Sequence, residues 1–460
     1  MPSPCWSEHE TRNATLGDRR LEQRMARLLD QLGNKPRESI PGALGGWADI
    51  QGAYRFFDHE RVTMEKILEP HSAATIERLR GHPVILAIQD TTFVNYSGCR
   101  ATTDLGPHSS DREHGLLLHP LLAVTPDRQC LGVLSAVSWA RDAALNKTAR
   151  RKTAPIEEKE SMRWLNGYER CAALHEHLPG TTLVCVADRE ADIYELFANA
   201  RPEQAHWLVR ATHDRCTEDG PHMRQRLASQ PLLGTRTIAV PATKTQAARM
   251  AVIEIRTDRF HLTAPRRPDR QLPEIEVTAI LAHEPNPPVG CPGVDWLLLT
   301  SLAQPQSCAD ACTILDWYAC RWQIEVFFHV LKSGCTIEHL QLQTRRRLEA
   351  AIAIYLVIAW RILFTMTTSR ACPDLPATVV FTPDECAAAH TLTKRTMGDE
   401  PPKLAAVVRL VAALGGYIDK PSQDPPGPKT LWIGWQRLRD VVWGMTVARA
   451  QATKGRCVES

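Results

Sequence analysis

The 460-residue chain has 14 cysteines but no CxxC pair. Cys308 and Cys312 sit one helical turn apart, and no His or Cys follows them at finger spacing, so a structural zinc site is not expected. Scattered thiols of this kind are expected to stay free and buried in a reducing cytosol. Residues 1–10 lack the basic-then-apolar pattern of a secretory signal. The longest apolar run, 350–360, is too short to span a bilayer and meets Arg361. The expectation is a cytosolic chain with no membrane partner. Net charge is only +3, so the total does not announce a polyanion partner, and local patches must decide that question. No internal repeat is evident. What remains is ordinary for a soluble globular chain: 43% hydrophobic and 23% charged residues, with length for about two to four domains.

Two short apolar runs end on carboxylates. Asp90 closes 84–90 (VILAIQD) and Asp188 closes 183–188 (LVCVAD). In open α/β sheets, strand ends are where ligands bind. Further on, Tyr318, Arg321, Glu325 and Lys332 are spaced i, i+3, i+7, i+14. On an ideal helix, at about 100° per residue, they fall within roughly 60° of one face. Trp317, Ile324, Phe327, Phe328 and Leu331 fall on another arc. The polar face therefore offers a phenol, two cations and a carboxylate. That set suits phosphate chemistry: the carboxylate can hold a divalent metal, the cations phosphate oxygens, and the phenol can donate to one. A solvated helix face is the bland alternative. The two aspartates at strand ends argue against it.

The rest of the chain supplies a frame. Residues 1–62 read as a helical N-terminal domain. In 18–32, Leu21, Met25, Leu28, Leu29 and Leu32 recur at helical spacing, with Arg19, Arg20, Arg24 and Arg27 on other faces. A turn is predicted at 39–47 and a helix at 48–57. A DNA-binding module and a plain helical cap both fit. Residues 63–369 read as the catalytic domain, with a helix at 64–79 and strands at 84–90, 115–124, 130–139, 182–187, 206–210 and 296–300. Helices are predicted at 157–177, 189–200, around Glu325 and at 348–366. The stretch 141–152 carries Arg141, Lys147, Arg150, Arg151 and Lys152, and reads as a mobile loop able to touch phosphates, with a solvated loop as the alternative. Residues 213–290 form a β-rich insertion, with alternating runs at 237–240 and 251–255 and a basic patch of Arg256, Arg259, Arg266, Arg267 and Arg270. Residues 370–460 read as a separate helical module, with pieces at 383–390, 402–414 and 432–450.

Strand order and carboxylate placement resemble the ribonuclease-H-like fold of DDE transposases and retroviral integrases. Tyr318-x2-Arg321-x3-Glu325-x6-Lys332 matches the YREK signature of the IS4 family. Local strings extend the resemblance from about residue 16 to the end: QGAYRFF at 51–57, DTT at 90–92, DREADI at 188–193, WLLLTS at 296–301, FTPDEC at 381–386 and LGGYIDK at 414–420.

The resemblance implies an α/β, ribonuclease-H-like catalytic core with a β-rich insertion, flanked by helical DNA-binding and dimerisation domains. It implies a cut-and-paste transposase that nicks DNA, forms and opens a hairpin, and transfers 3′ ends into a target. Asp90, Asp188 and Glu325 would be the catalytic carboxylates, holding two Mg²⁺ ions, with Mn²⁺ able to substitute. Tyr318, Arg321 and Lys332 would hold phosphates. Trp296 would stack on a flipped base, against the alternative of a core tryptophan. Arg210 would contact DNA, against the alternative of structural pairing. Arg19, Arg20, Arg24 and Arg55 are candidate end-recognition contacts. Partners would be double-stranded DNA, both terminal repeats and target, and a second copy in a synaptic homodimer, in the nucleoid-associated cytoplasm of a bacterium. Two positions depart from relatives: Tyr194 replaces a histidine and Thr212 a lysine. The alternatives are a non-catalytic or inhibitor-like DNA-binding relative, and a metal-dependent nuclease that never joins DNA. The intact carboxylates, the full YREK set and a Met1 that precedes the recognition region weigh against the first. The YREK set and the insertion weigh against the second.

Overall fold

A computed structural model describes residues 6–99, 101–108, 112–141, 155–199, 202–218, 220–242, 246–267, 270–396, 398, 401–420 and 424–458. The apolar runs form β1 (Val84–Gln89), β2 (Thr92–Asn95), β3 (Gly106–Pro107), β4 (His114–Val124), β5 (Cys130–Trp139), β6 (Thr182–Ala187), β7 (Ala205–Arg210), β8 (Gly234–Val240), β9 (Arg249–Leu262), β10 (Ile275–His283) and β11 (Asp295–Thr300). They make one sheet in the order β2-β4-β1-β6-β7-β11-β10-β9-β8, with β3 and β5 also paired to β4. β1, β6 and β7 are parallel; β4 runs antiparallel to β1, and β11 antiparallel to β7.

The parallel centre explains its own sequence. Both faces of β1 are covered, so the run is apolar throughout instead of alternating. Leu86 and Ile88 enter one hydrophobic cluster, and Ile85 and Ala87 enter the other. The first cluster is continuous from the N-terminal helices (Met25, Leu28) through the sheet (Val184, Val186) and the helix Arg345–Ala371 to Trp432 and Leu438. The second holds Trp164, Tyr168 and Trp207. The helix Arg345–Ala371 is long and apolar enough to cross a membrane by composition, yet 94% of its apolar window is buried inside the protein.

β1 and β2 follow one line along β4, because Leu86 faces Val124 and Thr92 faces Leu118 in the same register. The line breaks at Asp90 and Thr91, the residues between the strands. Counting along the ladder puts Asp90 opposite Pro120, which has no N–H to donate. Asp90 thus leaves the sheet at a rung where the ladder lapses.

At the N-terminus lie α1 (Trp6–Thr11), α2 (Arg19–Asn34), α3 (Ile40–Leu44), α4 (Trp47–Asp58) and α5 (Met64–Leu79). Asp18 caps α2 by accepting from the Arg20 N–H, and Thr63 caps α5 by accepting from the Lys66 N–H. A buried polar cluster ties α1 to α5 and β5. Glu10 accepts from His71 Nδ1 at 2.6 Å and from Arg78 Nη1 at 2.7 Å. His71 Nε2 accepts from the Val133 N–H at 3.0 Å, so this imidazole carries its proton on Nδ1 and is neutral. Arg78 lies over the Trp360 ring at 4.3 Å.

Several expectations change. Residues 39–47 contain the five-residue helix α3, capped by Ser39 and closed by Gly45 in the left-handed region (φ 69°). The helix predicted at 189–200 is a 3₁₀ turn, Arg189–Ala191, followed by the short helix Tyr194–Phe197, because the Asp188 side chain caps a tight turn. The strands of 213–290 extend the main sheet through β11, and the region also contains the helix Met223–Ser229.

Candidate active site at the strand ends

β1 and β6 are hydrogen-bonded with Ile88 opposite Val186. Two residues further on, Asp90 comes opposite Asp188, on strands spaced about 4.8 Å apart. Backbone amides fix both carboxylates: Thr91 N–H donates to Asp90 Oδ1 at 2.7 Å, and Glu190 N–H to Asp188 Oδ1 at 2.8 Å. Asp90 is nearly buried, at 9% exposure, while Asp188 is half-buried.

Glu325 arrives from the helical segment that follows β11. Ser307 and Asp310 form a capping box that starts the helix Cys308–Ala319. The segment then tightens to 3₁₀ at Cys320–Trp322, returns to α at Gln323–His329 and widens to a π-turn at Val330–Gly334. These changes break the even 100° step, so the four polar residues do not share one straight face. Arg321 and Glu325 reach the strand ends. Arg321 Nη1 lies 2.6 Å from Asp90 Oδ2 and 3.7 Å from Glu325 Oε1. Tyr318 is buried, with the Trp296 ring 5.6 Å away, edge to face. Lys332 is carried over β2 by the π-turn; its Nζ donates to the Phe93 carbonyl at 2.5 Å and lies 3.7 Å from Glu338.

The electrostatics are unbalanced. Burial, then the neighbouring Asp188, push the Asp90 carboxyl up to about 7; Arg321 and the Thr91 N–H pull it down, and Glu325 adds to the rise. Burial also raises the Tyr318 phenol, against the pull of Arg321 and Arg210. Three carboxylates thus share one guanidinium. Among the described residues, no three His, Cys, Asp or Glu side chains stand grouped to hold a metal ion, because Arg321 occupies the space between Asp90 and Glu325. The donor set nevertheless fits a hard divalent cation: oxygen ligands, excess negative charge, and a buried carboxyl whose ionisation needs a cation beside it.

Other expected residues fall elsewhere. Trp296 is half-buried on β11. Arg210 ends β7 and donates to the Asp295 carbonyl at 3.0 Å. Arg19, Arg20 and Arg55 are exposed on α2 and α4, whereas half-buried Arg24 shares Asp49 with Arg27 at 3.4 Å each. Tyr194 is buried, its one hydroxyl proton shared between the carbonyls of Leu262 and Pro273, so it anchors the insertion. Thr212 binds the turn after Asp188: its N–H donates to Asp192 and its hydroxyl to the Arg189 carbonyl. Arg141 is paired with Glu160, and the rest of the basic loop, 142–152, lies outside the described residues. The insertion's basic patch is largely matched, Arg256 with Glu254, Arg259 with Glu276, Arg267 with Glu195 and Arg270 with Glu157. Sequence reasoning missed Arg163 and His119, which both bind Thr91.

Three family models match the chain: transposase DNA-binding over residues 3–62, transposase DDE domain over 167–361, and transposase Tn5 dimerisation domain over 357–455. In chain order the three matches run DNA-binding, DDE and dimerisation. Asp188 and Glu325 lie inside the DDE match; Asp90 lies upstream of it. Among solved structures, the piggyBac transposase synaptic complex with hairpin DNA is similar at 9% identity and a TM-score of 0.35. The match covers 82% of this chain and 60% of that chain's length.

Proposed function

We propose that this chain is a DNA transposase of the IS4 type, which cuts DNA at transposon ends and joins the freed 3′ ends to a target. The observation that carries the reading is that Asp90 and Asp188 each follow the last paired rung of adjacent parallel strands, with Arg321 between Asp90 and Glu325, in a chain that matches three transposase models. The strand order β5-β4-β1-β6-β7, two antiparallel neighbours and then two parallel ones, supports a ribonuclease-H-like core extended by the insertion.

Asp90, Asp188 and Glu325 would hold divalent metal, Mg²⁺ by preference. When bound it would activate the attacking oxygen and stabilise the leaving 3′ oxygen. Everything else falls to the chain's own side chains. Arg321 pairs with Asp90 in the resting site; with a cation taking over that role, its fork is free for a phosphate oxygen. The Tyr318 phenol sits beside Arg321 to donate to a second. Trp296, half-buried against Tyr318, offers a ring face for a base turned out of the duplex, which suits a hairpin route. Arg19, Arg20 and Arg55 are free of the triad and suit recognition of the end repeats. The working form would be a synaptic dimer.

The test uses purified protein, Mg²⁺ and a duplex carrying the inverted repeats that flank the gene. Asp188→Ala should lose cleavage while keeping end binding in a gel-shift assay. Joint loss of both would make Asp188 a structural residue. Trp296→Ala should still nick but give few hairpins, and an unchanged hairpin yield would return Trp296 to the core.

A further inference from the structure

Behind the strand ends lies a closed polar circuit. The side chain of Arg163, from the helix Met162–Ala173, is only 10% exposed. Its Nε donates to Thr91 Oγ1 at 2.9 Å, its Nη2 to Glu190 Oε2 at 2.7 Å, and its Nη1 to the Glu160 carbonyl at 2.6 Å. The guanidinium carbon lies 5.1 Å from the Trp139 ring centre and 5.5 Å from that of Trp164. Thr91 follows Asp90 directly, and Glu190 is in the turn that Asp188 caps. One guanidinium therefore spans the backbone segments that carry both aspartates.

The bond directions agree around the circuit. Thr91 Oγ1 accepts from Arg163, so its hydroxyl proton is free for His119 Nδ1 at 2.9 Å. His119 Nε2 then carries the ring proton and donates to Gln89 Oε1 at 2.9 Å. Gln89 Nε2 donates to the Trp164 carbonyl at 3.2 Å, on the residue after Arg163, and to Cys185 Sγ at 3.1 Å on β6. Burial keeps the imidazole uncharged, as this pattern requires. Space is tight as well: a Cβ at Gly167 would meet Gln89 Oε1 at 2.0 Å. The Thr91–His119–Gln89 limb, part-buried to buried with every direction satisfied, holds one geometry, while the Glu190 carboxylate on the other limb is 62% exposed.

We infer that Arg163 is a positioning residue: through Thr91 and Glu190 it locks the backbones of Asp90 and Asp188 at the separation a divalent cation needs. Its planar fork holds Thr91 and Glu190 in fixed directions while a third N–H ties it to the Glu160 carbonyl of its own segment; an ammonium has three donors but no such fixed span. Outer-shell partners of this kind commonly set metal affinity over about 10- to 100-fold. The inference rests on the proposed function, so its test must separate the two.

The measurement is Tb³⁺ binding to the full-length, DNA-free protein, read by tryptophan-sensitised luminescence, with Mg²⁺ as competitor. Wild type should bind and Asp188→Ala should not. Arg163→Ala should weaken binding by about 10- to 100-fold. Arg163→Lys should recover part of that loss. Thr91→Val, which keeps shape and removes the hydroxyl, should shift binding in the same direction by less. End-DNA binding in EDTA should be unchanged in all three, which a direct phosphate contact by Arg163 would not allow. Wild-type affinity in both Arg163→Ala and Thr91→Val would overturn the positioning role. If Arg163→Ala does not fold, Thr91→Val decides alone. Failure of wild type to bind, or equal binding by Asp188→Ala, would overturn the proposed function instead.

Discussion

Two buried polar clusters in this molecule are built on opposite rules. Around Glu10, every group is matched: the carboxylate takes hydrogen bonds from His71 and Arg78, His71 spends its second nitrogen on the Val133 N–H, and Arg78 lies over Trp360. Burial opposes the Glu10 charge, but these partners outweigh it and hold the carboxyl below its usual range. Around Asp90, burial and like charges win, and the carboxyl rises to about 7. The first cluster joins α1, α5 and β5 into the fold. The second is left short of positive charge. Sequences resolve local conflict where they only need to fold, and leave it where a ligand must complete the site.

The comparison can be broken at its strong end first. Arg78→Met leaves Glu10 buried without its cation and should cost about 3–5 kcal/mol in denaturant unfolding. A loss under ~1 kcal/mol would mean the matched cluster is not structural. Its pH sign follows from the lowered carboxyl. Stability from Glu10 is present above its unfolded value of 4.5 and is lost as pH falls below it.

The site should answer with the opposite sign. The folded Asp90 binds its proton up to about 7, against 3.8 unfolded, so folding loses stability as pH rises between those values. Asp90→Asn should therefore stabilise the metal-free protein at pH 8, by on the order of 2 kcal/mol. That gain should fade as pH is lowered towards 4. A loss of stability at pH 8 would show that Asp90 is held as well as Glu10 is. The control is an exposed pair, Arg12 with Glu77, whose side chains are 42% and 43% exposed. Arg12→Ala should change stability by less than about 1 kcal/mol at low salt and by nothing resolvable at high salt.

Much of the frame was legible because it is written in local pattern. The runs at 84–90 and 182–187 are too apolar and too short for anything but covered strands, and the 64–79 helix has Thr63 as its cap and starts and stops as read. The carboxylates were legible for the same reason, since each closes such a run. What stayed hidden depends on distant partners. Nothing near Arg163 announces Thr91, 72 residues away, and nothing near His119 announces Gln89. The uneven winding of 320–334 is likewise absent from periodicity, because Arg321 turns towards Asp90 only once the sheet exists. The insertion's union with the main sheet hangs on the pairing of β11 with β7, which alternation within each strand cannot reveal.

Because Asp90 and Asp188 leave adjacent parallel strands two residues beyond the last paired rung, Ile88 with Val186, main-chain hydrogen bonds bring them side by side before Arg163 fixes their separation. Apart from Gln89 and Cys185, which join the circuit behind the site, the apolar side chains along β1 and β6 hardly enter. A descendant could exchange nearly every hydrophobic residue in both runs and still present the two oxygens side by side. The chemistry of this site can therefore outlive almost all of the sequence that now encodes it.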